Sequence, residues 1–321
     1  MHTLLLETID EAAHSELEQQ STTTLAATPD ADLGAEDLTD VEVIITRGRG
    51  QVTSQLLARC PNLRVIGRCG VGLDNVDVAA ATAAGVAVIN APGSPTITTA
   101  EHTIMLMLAL TRRLYPQVAA VKSDDWAVRA RVDADECAGK TIGVVGLGAI
   151  GRRVAEVSMA LGMEVVAYNR TNRDGTEDGT SVRRLPFAEL LAESDIVSLH
   201  VAFTPETRGL IGRPELATMK PGALLVNAAR GALVDVEALL EALDSGRLAG
   251  YAADGVDPEP PAPGDRLIHH ARAIITPHSA ALTASTYRRM CLQTIRNVLG
   301  YLAGSHYEAE SVFNAAQLSG D

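Results

Sequence analysis

A short apolar segment, Thr141–Val145, runs directly into residues 146–151, which read G-x-G-x-x-G. The first glycine permits a tight turn, the second lets the backbone approach a phosphate, and the third lets a helix pack closely. A helix predicted over residues 152–161 would present its N-terminal amides to negative charge. A second strand, predicted over Glu164–Tyr168, follows. This order predicts a dinucleotide-binding unit, the alternative being a glycine-rich turn without a ligand.

Strand and helix patterns alternate along the whole chain, which indicates parallel sheets covered by helices. The first series of predicted strands covers residues 3–7, 42–46, 63–67 and 86–90. The second covers residues 141–145, 164–168, 196–200, 224–227, 248–253 and 273–276. Six strands opening on a glycine turn are typical of a dinucleotide-binding domain. We therefore predict an α/β fold of two Rossmann-like, doubly wound parallel-sheet domains with an interdomain active-site cleft.

Two predicted helices suggest where the domains divide. Residues 100–113 are apolar on nearly every side, which predicts a helix in an interior or a subunit contact. Residues 283–302 follow the last strand and could cross back to the first domain. We expect a flavodoxin-like, substrate-binding domain of residues 1–98 plus 284–321 and a dinucleotide-binding Rossmann domain of residues 99–283.

The bulk composition restricts the class of partner. A net charge of −13 opposes non-specific binding to nucleic acid or to anionic membranes. The four cysteines form no C-x-x-C pair and are expected to be reduced, packed thiols. The first 18 residues lack the pattern of a signal peptide, and no apolar run is long enough to span a bilayer. We expect a cytoplasmic protein with no nucleic-acid or membrane partner and no metal site.

The residues after the second strand of the glycine unit discriminate between cofactors. NAD enzymes usually place Asp or Glu there, whereas a nearby Arg accommodates the 2′-phosphate of NADP. This chain has Asn169 and Arg170, followed by Arg173. The sequence therefore favours NADP(H). In the alternative, the arginines are solvated and NAD(H) binds without the acid.

Three side chains that can act in catalysis follow strands of the second series. They are Arg230 after residues 224–227, Glu259 in a proline-rich loop, and His278 after the last strand. The carboxyl ends of the strands line the ligand crevice of an open α/β sheet. Each residue alone has an ordinary loop explanation, but together they provide a guanidinium, a carboxylate and an imidazole for catalysis.

In these features the chain resembles the D-isomer-specific 2-hydroxyacid dehydrogenases, most closely the 3-phosphoglycerate dehydrogenase branch without its C-terminal regulatory domain. The similar segments are residues 4–9, 67–77, 99–103, 139–141, 146–151, 227–231, 254–260 and 277–280. The resemblance implies that Arg230 pairs with the substrate carboxylate and polarises the keto oxygen. His278 would act as general acid or base, and Glu259 would hold its imidazole.

The resemblance also implies ligand contacts. Arg47, Gly70, Val71, Gly72 and Arg230 would bind the substrate. The expected cofactor contacts are Gly146, Gly148, Ala149, Ile150, Gly151, Asn169, Arg170, Thr207, Ala228 and Asp254. Asp254 would orient the nicotinamide amide. The chain departs from the family at Asn169 and at Ala202-Phe203, where Pro-Leu is commoner. His102 and His200 are expected to be structural.

The substrate is predicted as a small anionic 2-hydroxy or 2-keto acid. Arg47 and Arg49 favour a second anionic group, as in a phosphorylated acid, unless they are exposed loop residues. Glyoxylate and hydroxypyruvate stay open as substrates, and we expect a homodimer.

A nicotinamide-sensing corepressor is the alternative function. Formate dehydrogenase is disfavoured because that enzyme normally has Gln where Glu259 stands.

Overall fold

The computed structural model describes residues 1–29, 37–131, 133–170 and 182–319. The chain divides into two compact units, Met1–Pro95 with Leu282–Asp321, and Thr96–Ala281. The first unit is therefore built from two separate chain segments. None of the described helices is both long and apolar enough to cross a membrane.

Strands and helices alternate as the sequence predicts. The strands are β1 His2–Leu5, β2 Thr22–Leu25, β3 Val43–Thr46, β4 Val65–Arg68, β5 Ala87–Ile89, β6 Thr141–Val145, β7 Glu164–Tyr168, β8 Arg183–Arg184, β9 Ile196–Leu199, β10 Ala223–Asn227, β11 Leu248–Asp254 and β12 Ala273–Thr276. The helices are α1 Glu11–Glu18, α2 Ser54–Arg59, α3 Val78–Ala83, α4 Thr96–Thr111, α5 Leu114–Lys122, α6 Ala149–Ala160, α7 Phe187–Glu193, α8 Arg213–Thr218, α9 Val236–Asp244, α10 Ala284–Ala303 and α11 Ala315–Ser319. Short 3₁₀ helices include Pro205–Thr207 and Gly231–Leu233.

The first unit is a parallel five-stranded sheet in the order β2-β1-β3-β4-β5. Helices α1 and α10 pack on one face, where Leu17 and Ile295 meet Val43 and Val65 of the sheet. Helices α2 and α3 cover the other face. Thr283 caps the start of α10 by accepting a hydrogen bond from the backbone of Thr286, so the helix begins where the sequence predicts.

The second unit is a seven-stranded parallel sheet in the order β12-β11-β10-β9-β6-β7-β8. Helices α4 and α6 cover one face, and α7 to α9 pack against the other. Leu106 and Met107 of α4 are buried, which explains the apolar pattern of this helix. The chain reverses direction across the sheet between β6 and β9, and ligands of such folds bind at this switch point. The predicted doubly wound α/β class is confirmed in both units.

Candidate active site

The glycine turn joins β6 to α6 in the conformation that the sequence predicts. Gly146 has a φ of 96°, which favours glycine. A Cβ at Gly146 would lie 2.8 Å from the carbonyl carbon of His200, and one at Gly151 would collide with the carbonyl oxygen of Gly146. These two glycines are therefore required by the packing of the protein itself.

Gly148 differs because no heavy atom of the described residues lies within 4 Å of a Cβ built on it. It is the N-cap of α6, and no side chain caps this helix. Arg152 lies at the end of the first turn and donates from Nη1 to the carbonyl oxygen of Leu147 at 3.1 Å. Open space, uncapped amides and a guanidinium together fit the pyrophosphate of a dinucleotide.

Asn169 follows β7 and is bonded to the glycine turn. Its Oδ1 accepts a hydrogen bond from the backbone N–H of Leu147 at 2.6 Å. This bond fixes the orientation of the amide and leaves its two N–H donors available to a ligand. Arg170 is exposed beside it. The third residue of the cofactor argument, Arg173, lies outside the described residues.

Arg170 has an acidic neighbour in the loop that follows β9. Hydrogen bonds from the Thr204 side chain and from the backbone lower the pKa of Glu206, and the positive charge of Arg170 contributes to this shift. A cofactor phosphate at Arg170 would therefore compete with Glu206. Thr207 in the same loop donates from its hydroxyl to the carbonyl oxygen of Ala202 at 3.0 Å and accepts from the backbone of Thr204 at 2.7 Å.

The imidazole of His278 and the carboxylate of Glu259 form a direct pair. Nδ1 of His278 lies 2.8 Å from Oε2 of Glu259, and the two side chains are 45% and 40% exposed. Gly255, with a φ of 107°, makes room for them, since a Cβ there would collide with Oε1 of Glu259. Nε2 of His278 makes no hydrogen bond within the described part of the chain. It is the nitrogen available to a substrate.

Arg230 lies in the loop after β10, which packs against the chain that leads to Glu259. Asn227 shapes this loop by donating to the carbonyl of Arg230 at 2.8 Å and accepting from the backbone of Ala229 at 3.1 Å. A Cβ at Gly231 would collide with the backbone of Val256. Since β10, β11 and β12 are neighbours, their carboxyl ends bring Arg230, Glu259 and His278 to one edge of the sheet. Ala228 lies in the same loop.

Asp254, the predicted nicotinamide contact, is 4% exposed and bonded to the turn that carries His278. Its carboxylate accepts hydrogen bonds from the Thr276 hydroxyl (2.6 Å) and from the backbone of Ser279 (2.8 Å) and Ala280 (2.7 Å). His102 extends this network, with Nε2 2.9 Å from the Thr276 hydroxyl. Asp254 therefore anchors the loop that carries the imidazole of His278.

The predicted cofactor contacts Ala149 and Ile150 and the predicted structural residue His200 lie at or beneath the glycine turn. Ala149 and Ile150 form the first turn of α6, beside the open space at Gly148. His200 lies beneath the glycine turn, where burial lowers the pKa of its imidazole to about 4. It accepts or donates a 2.8 Å hydrogen bond with Ser198. His200 is therefore neutral at physiological pH.

The predicted substrate residues of the first unit lie after its central strands. Arg47 follows β3, and Gly70 to Gly72 follow β4. Gly70 has a φ of 151°, and a Cβ there would collide with the guanidinium of Arg68. The carbonyl oxygen of Val71 accepts a 2.8 Å hydrogen bond from Asn90. Sequence reasoning missed two residues that hold Arg47 in place, Glu7 and Tyr287.

Comparison with known proteins agrees with this arrangement. Residues 104–280 match the family described as D-isomer specific 2-hydroxyacid dehydrogenase, NAD binding domain. The D-3-phosphoglycerate dehydrogenase of Archaeoglobus fulgidus is 43% identical over 242 residues, 75% of this chain and 46% of that protein. The glyoxylate reductase of Aeropyrum pernix is 37% identical over 272 residues, 83% of this chain and 81% of that protein.

Solved structures extend the likeness to the whole chain. The glyoxylate reductase from Paecilomyes thermophila has a TM-score of 0.85 at 32% identity, covering 98% of this chain and 97% of that one. The NADPH-dependent glyoxylate/hydroxypyruvate reductase from Sinorhizobium meliloti, in complex with NADP and malonate, has a TM-score of 0.87 at 27% identity, covering 97% and 98%. The chain spans about half the length of the phosphoglycerate dehydrogenases that it matches. It belongs to the D-isomer-specific 2-hydroxyacid dehydrogenase family, and its second unit carries the nicotinamide-cofactor-binding domain of that family.

Proposed function

We propose that this protein is an NAD(P)-dependent D-2-hydroxyacid dehydrogenase that also works as a 2-keto acid reductase. The observation that carries the proposal is the 2.8 Å contact between Nδ1 of His278 and Oε2 of Glu259, in a unit with a dinucleotide-binding glycine turn. A bound nicotinamide would supply or accept the hydride. The residues of the chain provide the proton and the charge stabilisation.

The acid–base chemistry follows from the contacts of the pair. When a 2-keto acid is reduced, negative charge develops on its carbonyl oxygen, and Nε2 of His278 donates a proton to it. The Glu259 carboxylate holds Nδ1–H and stabilises the imidazolium form. Arg230 binds the substrate carboxylate and polarises the carbonyl. In oxidation, His278 takes the proton back.

For the cofactor we propose a preference for NADP(H). Two features support it: Asn169 offers N–H donors in place of a carboxylate, and Arg170 is exposed beside it. A carboxylate would repel a 2′-phosphate, whereas an amide and a guanidinium can donate hydrogen bonds to it. Glu206 opposes the preference because its charge competes for Arg170. The similar Sinorhizobium meliloti reductase is named as NADPH-dependent.

The substrate is proposed to be a short 2-keto acid. The names of similar proteins suggest glyoxylate, hydroxypyruvate and the phosphorylated acid of a phosphoglycerate dehydrogenase. We further propose that Gly70, Val71, Gly72 and Arg47 bind the substrate, that Thr207, Ala228 and Asp254 contribute to the cofactor site, and that the protein is a cytoplasmic homodimer.

A turnover assay with purified protein tests these proposals. Glyoxylate, hydroxypyruvate and 3-phosphohydroxypyruvate are each reduced with NADPH and with NADH while absorbance at the nicotinamide band is followed. We expect turnover of at least one acid and a higher kcat/KM with NADPH. A protein that binds the cofactor but reduces none of the acids contradicts the dehydrogenase proposal and favours the corepressor alternative.

A further inference from the structure

Arg47 is held in one orientation by contacts within the first unit. Its Nη1 donates to the hydroxyl of Tyr287 at 3.0 Å and to the carbonyl oxygen of Thr8 at 3.3 Å. The guanidinium also lies over the Tyr287 ring, with Cζ 5.1 Å from the ring centroid. The Tyr287 hydroxyl donates in turn to the carbonyl of Thr8 at 3.2 Å. Tyr287, Arg47 and Thr8 thus form a closed triangle of hydrogen bonds.

The loop that carries Arg47 is equally constrained. Oε2 of Glu7 accepts hydrogen bonds from four successive backbone N–H groups, those of residues 47 to 50, at 2.9, 2.9, 3.1 and 3.0 Å. Oε1 of Glu7 lies 3.8 Å from Nε of Arg47. The Glu7 side chain is only 8% exposed. The buried carboxylate of Glu7 therefore fixes the backbone conformation of the loop, and Tyr287 fixes the orientation of the Arg47 side chain.

The remaining donors of Arg47 are available to a ligand. A guanidinium has five N–H donors. Both donors of Nη1 are used within the unit, and Nε faces Glu7. The two donors of Nη2 have no hydrogen-bond partner among the residues that the structure describes. Arg49, two residues away, is exposed to solvent. The two arginines therefore differ, because only Arg47 is held in one orientation by the protein.

We propose that Tyr287 is a positioning residue that determines substrate specificity. By fixing Arg47, it leaves the Nη2 donors free to bind the distal anionic group of a 2-hydroxy acid, such as a phosphate or a second carboxylate. Preorganisation of this kind lowers the entropic cost of binding, and it benefits only substrates that carry the second anion. The proposal rests on the dehydrogenase function proposed above.

The Tyr287→Phe variant tests the proposal because it removes the hydroxyl but keeps the ring under the guanidinium. The matched control is Tyr301→Phe, on the same helix, α10. For each protein, KM and kcat are measured for oxidation of 3-phosphoglycerate and of D-glycerate, which lacks the phosphate. The dissociation constant of 3-phosphoglycerate is measured separately by calorimetry.

For Tyr287→Phe we expect KM for 3-phosphoglycerate to rise by about three- to tenfold, the effect of one lost hydrogen bond. Its kcat, and KM for D-glycerate, should change less than about twofold, and Tyr301→Phe should match the wild type. An equal change for both acids, or no change, overturns the proposal.

Failure of the proposed function gives a different result. If the wild type binds 3-phosphoglycerate but oxidises neither acid, the dehydrogenase function is wrong. The role of Tyr287 is then decided by calorimetry, from the ratio of the dissociation constants of 3-phosphoglycerate for Tyr287→Phe and for the wild type. If the wild type oxidises D-glycerate but does not bind 3-phosphoglycerate, the function stands and the specificity proposal is overturned.

Discussion

At the scale of single residues, the pair of His278 and Glu259 and the neighbouring Arg230 have separable tasks. Replacing His278 or Arg230 by Ala removes the proposed proton donor or the group proposed to polarise the carbonyl. We expect kcat/KM to fall by about a hundredfold or more in either variant. The dissociation constant of NADPH, measured by fluorescence titration, should stay within about twofold of wild type. Near-normal turnover in either variant would contradict the catalytic assignment.

Glu259→Gln tests the carboxylate of the pair. The amide can still accept the hydrogen bond from Nδ1 of His278 but carries no charge to stabilise the imidazolium. We expect kcat for keto-acid reduction to fall by about ten- to a hundredfold, the usual value of a charge-assisted hydrogen bond. Circular dichroism should be unchanged. An unaltered kcat would show that Glu259 does not support His278.

Arg170 is the residue at which the cofactor preference can be tested. Arg170→Ala removes the charge-assisted contact proposed for the 2′-phosphate, so we expect the dissociation constant of NADPH to rise by about tenfold to a hundredfold. NADH lacks that phosphate and should bind unchanged. Arg153→Ala is the matched control, because Arg153 is paired with Glu156 on α6. Equal losses for both cofactors would contradict the proposed contact.

These residues differ in how much the sequence alone can predict about them. Arg230, Glu259 and His278 can be proposed from the sequence because each is a polar residue that follows a predicted strand. Tyr287 could not, since its partner Arg47 lies 240 positions away along the chain. The hydrogen bond from Leu147 to Asn169 could not be predicted either, although it fixes the orientation of the amide. Sequence identifies the chemical groups, and tertiary contacts decide their orientation.

At the scale of elements, the turn from β12 to α10 depends on the carboxylate of Asp254. Asp254→Asn replaces one of two accepting oxygens by a donor, which opposes the backbone N–H of Ser279 or Ala280. We expect a loss of about 1–3 kcal/mol in unfolding free energy and a lower Tm without cofactor. The control is Asp257→Asn in the exposed ion pair with Arg208, which should cost at most about 1 kcal/mol. An unchanged Tm would contradict the role of the Asp254 carboxylate in stabilising this turn.

The loop after β3 is the element whose stability should depend on acidity. Burial raises the pKa of Glu7, but hydrogen bonds from the backbone of Gly50, Gly48 and Arg47 outweigh it and lower the pKa below its ordinary value of 4.5. A lowered pKa in the folded state gives stability that is present above pH 4.5 and is lost as the pH falls below it.

Urea unfolding of wild type and Glu7→Gln checks this expectation. The difference in unfolding free energy should be largest at pH 7 and should shrink below pH 4.5, because Gln at this position does not titrate. A difference that is the same at every pH would show that the charge of Glu7 is not what stabilises the loop.

Two elements escaped sequence analysis for the same physical reason. Strand β2 contains three threonines and lies at the edge of its sheet, largely exposed, so it has no apolar run to reveal it. Strand β8 is a pair of exposed arginines at the edge of the other sheet. Both gain their structure from pairing with a buried neighbour. The central strands were predicted because both of their faces are buried and most of their residues are apolar.

At the scale of the whole molecule, an exposed apolar surface in the second unit supports the expected homodimer. Helix α5 has no buried residue, and Tyr115, Val118 and the nearby Trp126 are 62%, 43% and 67% exposed. Such surfaces usually mark interaction sites. We expect analytical ultracentrifugation to give the mass of two chains, and Tyr115→Asp with Val118→Asp to give one. Phe313→Asp, at an exposed residue of the first unit, serves as control. A monomeric wild type would contradict the expectation.

The discontinuity of the first unit has a consequence for the order of events during synthesis. Strands β1 to β5 leave the ribosome first, yet α10, which covers one face of their sheet, is made only after all of Thr96–Ala281. Until then Val43, Val65 and their apolar neighbours on that face lack part of their cover. The second unit is continuous in sequence and can complete its core earlier. When the second unit has emerged and folded, the amino-terminal unit, which emerged before it, is still incomplete, and its uncovered face is a surface to which chaperones can bind.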